Sequence, residues 1–211
     1  YQAQALIDIA KKLNKKISNL NDIIKIDIYT SHHTHYVIGT GANDPQKMDP
    51  GSSRETLDHS IMYIFAVALE DAKWHHVKSY TKSRANKKST VKIWQNIKTH
   101  EDKKWTRKYH DPNPKNKSFG AKVVVTMKNG KKIIEQLERA DAHPYGARPF
   151  KRNDYIKKFK SLTENIISHK ESLRFINTVQ NLKKIKNGHL TKLNIEVSKK
   201  YLKKNNKLGI F

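Results

Sequence analysis

Four ionisable residues stand close together in the chain: Arg54, Glu55, Asp58 and His59, at the head of a run that is nearly all apolar from Leu57 to Leu69. On a helix Glu55 and His59 are i and i+4 and share a face. Asp58 and His59 are adjacent, so they point about 100° apart and cannot address one spot. An imidazole so placed can take or give a proton, and a guanidinium beside it can hold a carboxylate. Charge at the head of a buried helix must be paired or must serve a site. The competing reading is helix-start chemistry, in which acids of the first turn complement the dipole. The residues alone leave the two evenly poised.

Two further groups carry chemistry-bearing side chains. His32, His33 and His35 would place two imidazoles on one side if they lay on a strand, an arrangement zinc can use. No H-E-x-x-H and no cysteine accompanies them, so polar loop histidines are the stronger reading. His75-His76 reads as a helix end, where an imidazolium suits the dipole. In His143-Pro144-Tyr145-Gly146-Ala147-Arg148-Pro149, proline and glycine hold a turn that presents Arg148. Such an arginine can clamp a carboxylate in a bidentate pair, although a surface linker explains the segment slightly better. There is no G-x-G-x-x-G, P-loop or G-x-S-x-G, and Gly39-Thr40-Gly41 is too short a signal for phosphate binding.

The elements that must position these residues follow from periodicity. Residues 1–17 read as a helix, with Ala5, Leu6, Ile9 and Leu13 on one face. No capping residue precedes it, so the chain is expected to be a fragment. Ile24, Ile26 and Ile28 alternate with Lys25 and Asp27 as a strand with one buried face. Residues 31–53 form a long irregular connection. Ser52 and Glu55 have capping-box spacing, so one buried helix is expected from there through Leu69. A helix is expected over residues 91–97. Residues 122–126 and 132–138 flank Asn129-Gly130, a hairpin with a type I′ turn. Helices over 154–163 and 169–182 and a lysine-rich end complete the chain. The fold class expected is α+β, with antiparallel strands and packed helices in residues 1–150 and a helical segment over 151–211.

Composition narrows the function. The 211 residues include 43 Lys and Arg against 19 Asp and Glu, a net charge of +24. Only seven of the basic residues are Arg, the side chain suited to bidentate phosphate and base contacts. The lysines scatter, and their densest group, Lys199-Lys200 with Lys203-Lys204, sits in the tail. Compositional drift therefore outweighs nucleic-acid binding, and the field would steer a small anionic substrate. The absence of cysteine excludes disulfides and thiolate metal sites and fits a reducing, cytoplasmic setting. No apolar run approaches the ~18 residues of a membrane span, so no membrane partner is expected.

The run from Arg54 to Leu69 (RETLDHSIMYIFAVAL) resembles the R-E-T-x-D-H-S-x-x-Y segment of the MmgE/PrpD family of 2-methylcitrate dehydratases. The stretch HHTHYVIGTGANDP beginning at His32, Trp105 to His110, and Ala140 to Phe150 are similar to the family in the same order. The resemblance covers roughly residues 1 to 180. It implies the smaller α+β domain of a two-domain enzyme, followed by C-terminal helices that rejoin an all-helical domain absent from this chain. It also implies a cofactor-free, metal-independent hydro-lyase of propionate catabolism, often a homodimer, acting on a small tricarboxylate between its domains. Relatives decarboxylate, dehydrate or isomerise related acids. His59 would then be an acid, base or substrate contact, with Asp58 orienting its neighbours. Arg54 and Arg148 would hold carboxylates. Many members place a histidine where this chain has Gln2, which can hydrogen-bond but cannot serve as a proton-transfer base.

Overall fold

The computed structural model describes residues 1–199 in two compact units, Tyr1–Pro149 and a second that begins at Phe150. Lys200, Lys203 and Lys204 of the lysine-rich end lie outside the described residues. Among the described residues, nine α-helices and a four-stranded mixed sheet make an α+β fold. Also among the described residues, no helix is long and apolar enough to cross a membrane.

The first unit opens with α1 (Gln4–Asn14), shorter at both ends than periodicity predicts. Its apolar stripe, Leu6, Ile9, Ala10 and Leu13, is fully buried. The Asn14 amide donates to the Leu69 carbonyl at 2.8 Å, fixing where the helix ends. The chain then enters β1 (Ile23–Thr30), α2 (His32–Ile38) and, after two short 3-10 turns, α3 (Arg54–Asp58) and α4 (Ile61–Asp71). Next come α5 (Lys82–Ala85), α6 (Lys88–Gln95), β2 (Ile97–Glu101) and α7 (Lys103–His110). The hairpin β3 (Ala121–Met127) and β4 (Lys132–Leu137) closes the sheet in the order β2-β1-β3-β4.

The sheet corrects two expectations. It is not wholly antiparallel, because β1 and β2 run parallel, with Ile26 opposite Ile97 and Ile28 opposite Thr99. The β2 strand escaped notice because only Ile97 and Thr99 mark its inward face, and the helical pattern around Trp94 runs straight into it. The alternation in β1 also slips. A register shift between Ile23 and Lys25 turns Ile23 inward and leaves Ile24 50% exposed. A bulge of this kind puts one extra residue into the strand and resets its faces.

From there the pleat is regular. Ile26, Ile28, Val123 and Val125 lie on the face covered by α1 and α4. Asp27 and Tyr29 lie on the opposite face with Lys122, Val124 and, across β2, Lys98 and His100. The β3–β4 turn is not type I′, since of Asn129 and Gly130 only the glycine has positive φ, at 79°. The Gly130 N–H returns to the Met127 carbonyl, and the Met127 N–H donates to Lys131. That is a three-residue connection closed by a left-handed glycine.

The α4 helix is the centre of the core. All nine residues from Ile61 to Leu69 are buried, packed against α1, α6 and the sheet. Each large apolar side chain so placed stabilises the fold by roughly 1.5–3 kcal/mol. In the second unit α8 (Arg152–Leu162) and α9 (His169–Gln180) stack the rings of Phe159 and Phe175 at 5.2 Å. Glu171 accepts two bonds from Arg174 at 2.6 Å and a third from the backbone of Glu196.

Candidate functional site

The head of the buried helix is a break between two helices, not the single element its sequence predicts. Ser53, not Ser52, caps α3, accepting from the Thr56 N–H at 3.2 Å. Ser52 instead donates to the Gln46 carbonyl. Glu55 points back to its own N–H, and this bond with help from Ser53 holds its carboxyl below the usual range. The chain leaves α3 at His59 and turns extended at Ser60, with φ −115° and ψ 101°.

Ser60 explains the break. Its side chain is fully buried, accepts from the Tyr63 N–H at 3.2 Å and donates to the Lys47 carbonyl at 2.7 Å. A hydroxyl that caps a helix competes with continuing one. The same carbonyl takes the indole N–H of Trp94 at 3.1 Å, so the Pro45–Met48 turn is pinned from two sides.

His59 lies exposed at this corner, and its ring has one orientation. Its Nδ1 sits 2.8 Å from the Glu55 carbonyl oxygen. A carbonyl only accepts, so Nδ1 carries the proton, and in the neutral ring Nε2 is left with its lone pair free. That is the arrangement of a proton acceptor aimed by its own backbone.

Asp58 does not touch His59. Its carboxylate accepts the hydroxyl of Tyr80, whose acidity is suppressed by burial and by that carboxylate. Arg54 lies over the Tyr80 ring at 5.3 Å and donates to the His76 carbonyl at 3.0 Å. Tyr63 reaches the same loop, donating to the Ser79 carbonyl at 2.5 Å, and its hydroxyl is pushed up to about 12 by burial. His75 is a turn residue, not a helix end, for its Nδ1 accepts from the N–H groups of Val77 and Lys78. Arg54, Asp58 and Tyr80 thus form one group that clamps the 74–80 loop on α3. Tyr80 carried no sequence signal, because nothing in its spacing links it to Asp58.

Arg148 stands elsewhere. Its segment is folded on itself, with the Arg148 N–H donating to the Asp141 carbonyl at 2.8 Å, and is held to α1 by a bond from the Asp141 N–H to Asp8. Among the described residues no hydrogen bond or ion pair joins Arg148 to Arg54, Asp58 or His59. Gln2 precedes α1, and its side chain makes no hydrogen bond among the described residues.

The three early histidines are on a helix, not a strand. Ser31 caps α2 through the Thr34 N–H, and about 200° then separates His33 from His35. His32 pairs with Glu101 at 3.0 Å, and the hydroxyl of Thr106 donates to the same carboxylate. His35 lies 2.7 Å from the Thr99 hydroxyl; burial lowers its basicity, with repulsion from His100 adding to this. On the face of the sheet away from α1 and α4, His100 bonds the buried Asp27 at 2.7 Å with Lys25 beside them. Burial alone would raise the Asp27 carboxyl, but these two partners outweigh it and hold it low. This group was missed with β2. Among the described residues no three His, Asp or Glu side chains are arranged to hold a metal ion. The family model of the MmgE/PrpD C-terminal domain matches residues 1–184.

Proposed function

Because the chain belongs to the MmgE/PrpD family, with its dehydratase-type role, we propose that it serves a 2-methylcitrate dehydratase, releasing water from 2-methylcitrate to give 2-methylaconitate in propionate breakdown. The observation that carries this reading is the His59 ring, held by the Glu55 carbonyl with Nε2 outward and exposed. Dehydration of a hydroxy acid needs a base for the proton α to a carboxylate and an acid for the departing hydroxyl. His59 is the proton-transfer group: Nε2 takes the carbon-bound proton as the carbon–carbon double bond forms, and the imidazolium passes that proton to the hydroxyl, which leaves as water while the ring returns to neutral. Asp58 acts through Tyr80, fixing the wall of the site, while Arg54 and Arg148 supply positive charge for the substrate carboxylates. The protein is a cytoplasmic homodimer in this reading, uses no cofactor, and has a small tricarboxylate as its partner rather than nucleic acid.

The test is His59→Ala in the intact enzyme. Turnover of 2-methylcitrate falls at least ~10-fold while the circular dichroism spectrum and melting temperature stay as they were. Unchanged kinetics end the assignment. A parallel assay with citrate, following the absorbance of the enoic product, separates 2-methylcitrate from a close analogue as the preferred acid.

A further inference from the structure

A cavity of about 210 Å³ opens between the start of α1, the loop before β3 and the segment after β4. It shares no residue with the His59–Tyr80 group. Two buried polar atoms on its wall have no hydrogen-bond partner, and these are the only such side-chain atoms among the described residues: the hydroxyl of Ser118 and the Nε of Arg139. Ser118 is 2% exposed and so cannot turn its hydroxyl to bulk water. A buried donor left unmade costs ~1–3 kcal/mol, so two at one spot call for a shared occupant.

The chemistry of the wall says what that occupant is. Arg139 has its Nη2 donating to the Lys115 carbonyl and its Nη1 3.8 Å from Glu138, too far for a hydrogen bond, while its buried Nε–H has no partner. His143 accepts the Tyr145 N–H at Nδ1, so its neutral ring carries the proton on Nε2 and is a donor there. Lys117 adds charge at the rim, and no carboxylate lines the space. Ala5, Pro114, Phe119 and Ala140 make the rest of the wall largely hydrocarbon, with Gln4 and Tyr1 adding polar groups. Donors and cations together with a largely hydrocarbon lining fit an organic anion rather than a bare oxyanion.

We infer that this cavity binds the carboxylate of a small organic acid, held by Arg139 and Ser118, at a site separate from the one containing His59. The volume is that of roughly seven waters, at ~30 Å³ each, and suits an acid of about four carbons.

Succinate, inorganic phosphate and chloride are titrated into the intact protein, with binding read by calorimetry and melting temperature. Succinate binds saturably, and Arg139→Gln and Ser118→Ala each weaken it at least ~10-fold, the effect of losing one charged hydrogen bond. Ser118→Ala without ligand melts no lower than wild type, because it removes an orphan hydroxyl. If phosphate binds and succinate does not, the organic-acid assignment is wrong. If no anion binds, or if both variants bind succinate as wild type does, there is no such site. A fall in melting temperature for ligand-free Ser118→Ala means that the hydroxyl already has a protein partner, which overturns the premise.

Discussion

Replacing Ser60 by alanine separates the architecture of the His59 corner from its chemistry. The Ser60 hydroxyl makes two bonds at no exposure, one from the Tyr63 N–H at the start of α4 and one to the Lys47 carbonyl. Losing an N-cap costs about 1 kcal/mol. The Lys47 carbonyl keeps its Trp94 partner, so losing the serine bond there costs about 0.5–1.5 kcal/mol and not the larger penalty of an orphaned group. The sum is about 2 kcal/mol. Ser53→Ala removes only a cap, on a helix of five residues at an exposed position, and costs about 0.5–1 kcal/mol. Urea denaturation with an unchanged slope measures both. Ser60→Ala also lowers turnover, because Ser60 sets the angle at which the chain leaves His59. His59→Ala leaves stability within about 0.5 kcal/mol, the range of an exposed site. If Ser53→Ala proves as costly as Ser60→Ala, the break between α3 and α4 is not held by the buried hydroxyl.

Arg84 lies between Asp71, which takes two of its bonds at 2.9 and 3.0 Å, and Glu70 at 2.8 Å, with only 12% of its side chain exposed. Arg84→Met leaves two nearby carboxylates short of a cation and costs about 3 kcal/mol by calorimetric melting. The same cluster sets an acid limit. Burial would raise the Glu70 carboxyl, but bonds from Ser89, Thr90 and Lys87, with Arg84 nearby, pull it from 4.5 to about 2. The folded value is the lower one, so its contribution is complete above pH 4.5 and fades as pH falls toward 2. The contribution is at most ~3 kcal/mol, and about 2 after screening by solvent. Melting temperature against pH should fall over that window, and in Arg84→Met the fall should be smaller and end at higher pH, because the folded carboxyl is held down less. Tyr80→Phe frees Asp58 of its bond and lowers turnover about fivefold, corresponding to ~1 kcal/mol; an unaltered rate would show that Asp58 and Tyr80 only pack the loop. At Gly39 a Cβ would lie 2.5 Å from the Thr99 hydroxyl and 2.7 Å from the His35 carbonyl, so Gly39→Ala costs about 1–3 kcal/mol of stability.

What the sequence makes legible is the apolar framework. The stripe of α1, the all-round burial of α4 and the β3–β4 hairpin follow from periodicity and one dipeptide, because burial acts on every residue of an element and repeats. Errors gather where one side chain decides. The bulge that turns Ile24 outward leaves the composition of β1 untouched, and the Ser60 break hides in a run whose hydrophobicity is continuous on both sides. β2 is lost for another reason, since a short parallel strand shows few inward residues and has its partner about 70 positions away. Residues 31–53, expected to be irregular, are instead tied down by Ser31, Thr40 and Asp44, polar residues that read equally well as loop or cap.

The candidate site was legible as a list of residues and not as a geometry. Spacing puts Glu55 and His59 on one face, and they do meet, but through the Glu55 carbonyl and not its carboxylate. That difference changes the chemistry. A carboxylate partner would add a charge to pair with, whereas a carbonyl only sets the tautomer, keeping the proton on Nδ1 so that the neutral ring has its lone pair at Nε2. Asp58, expected to orient its neighbours, accepts the hydroxyl of Tyr80, a partner that no local pattern could name. Arg148, read with Arg54 as a second clamp, belongs to a turn anchored on α1 and has no bond to α3. The two arginines therefore act on one substrate only if that substrate spans the distance between them. A double variant tests this directly. If both hold one acid, Arg54→Gln and Arg148→Gln raise KM by factors that multiply in the double variant. If only Arg54 touches substrate, Arg148→Gln leaves KM where it was, and the carboxylate role contracts to the α3 group.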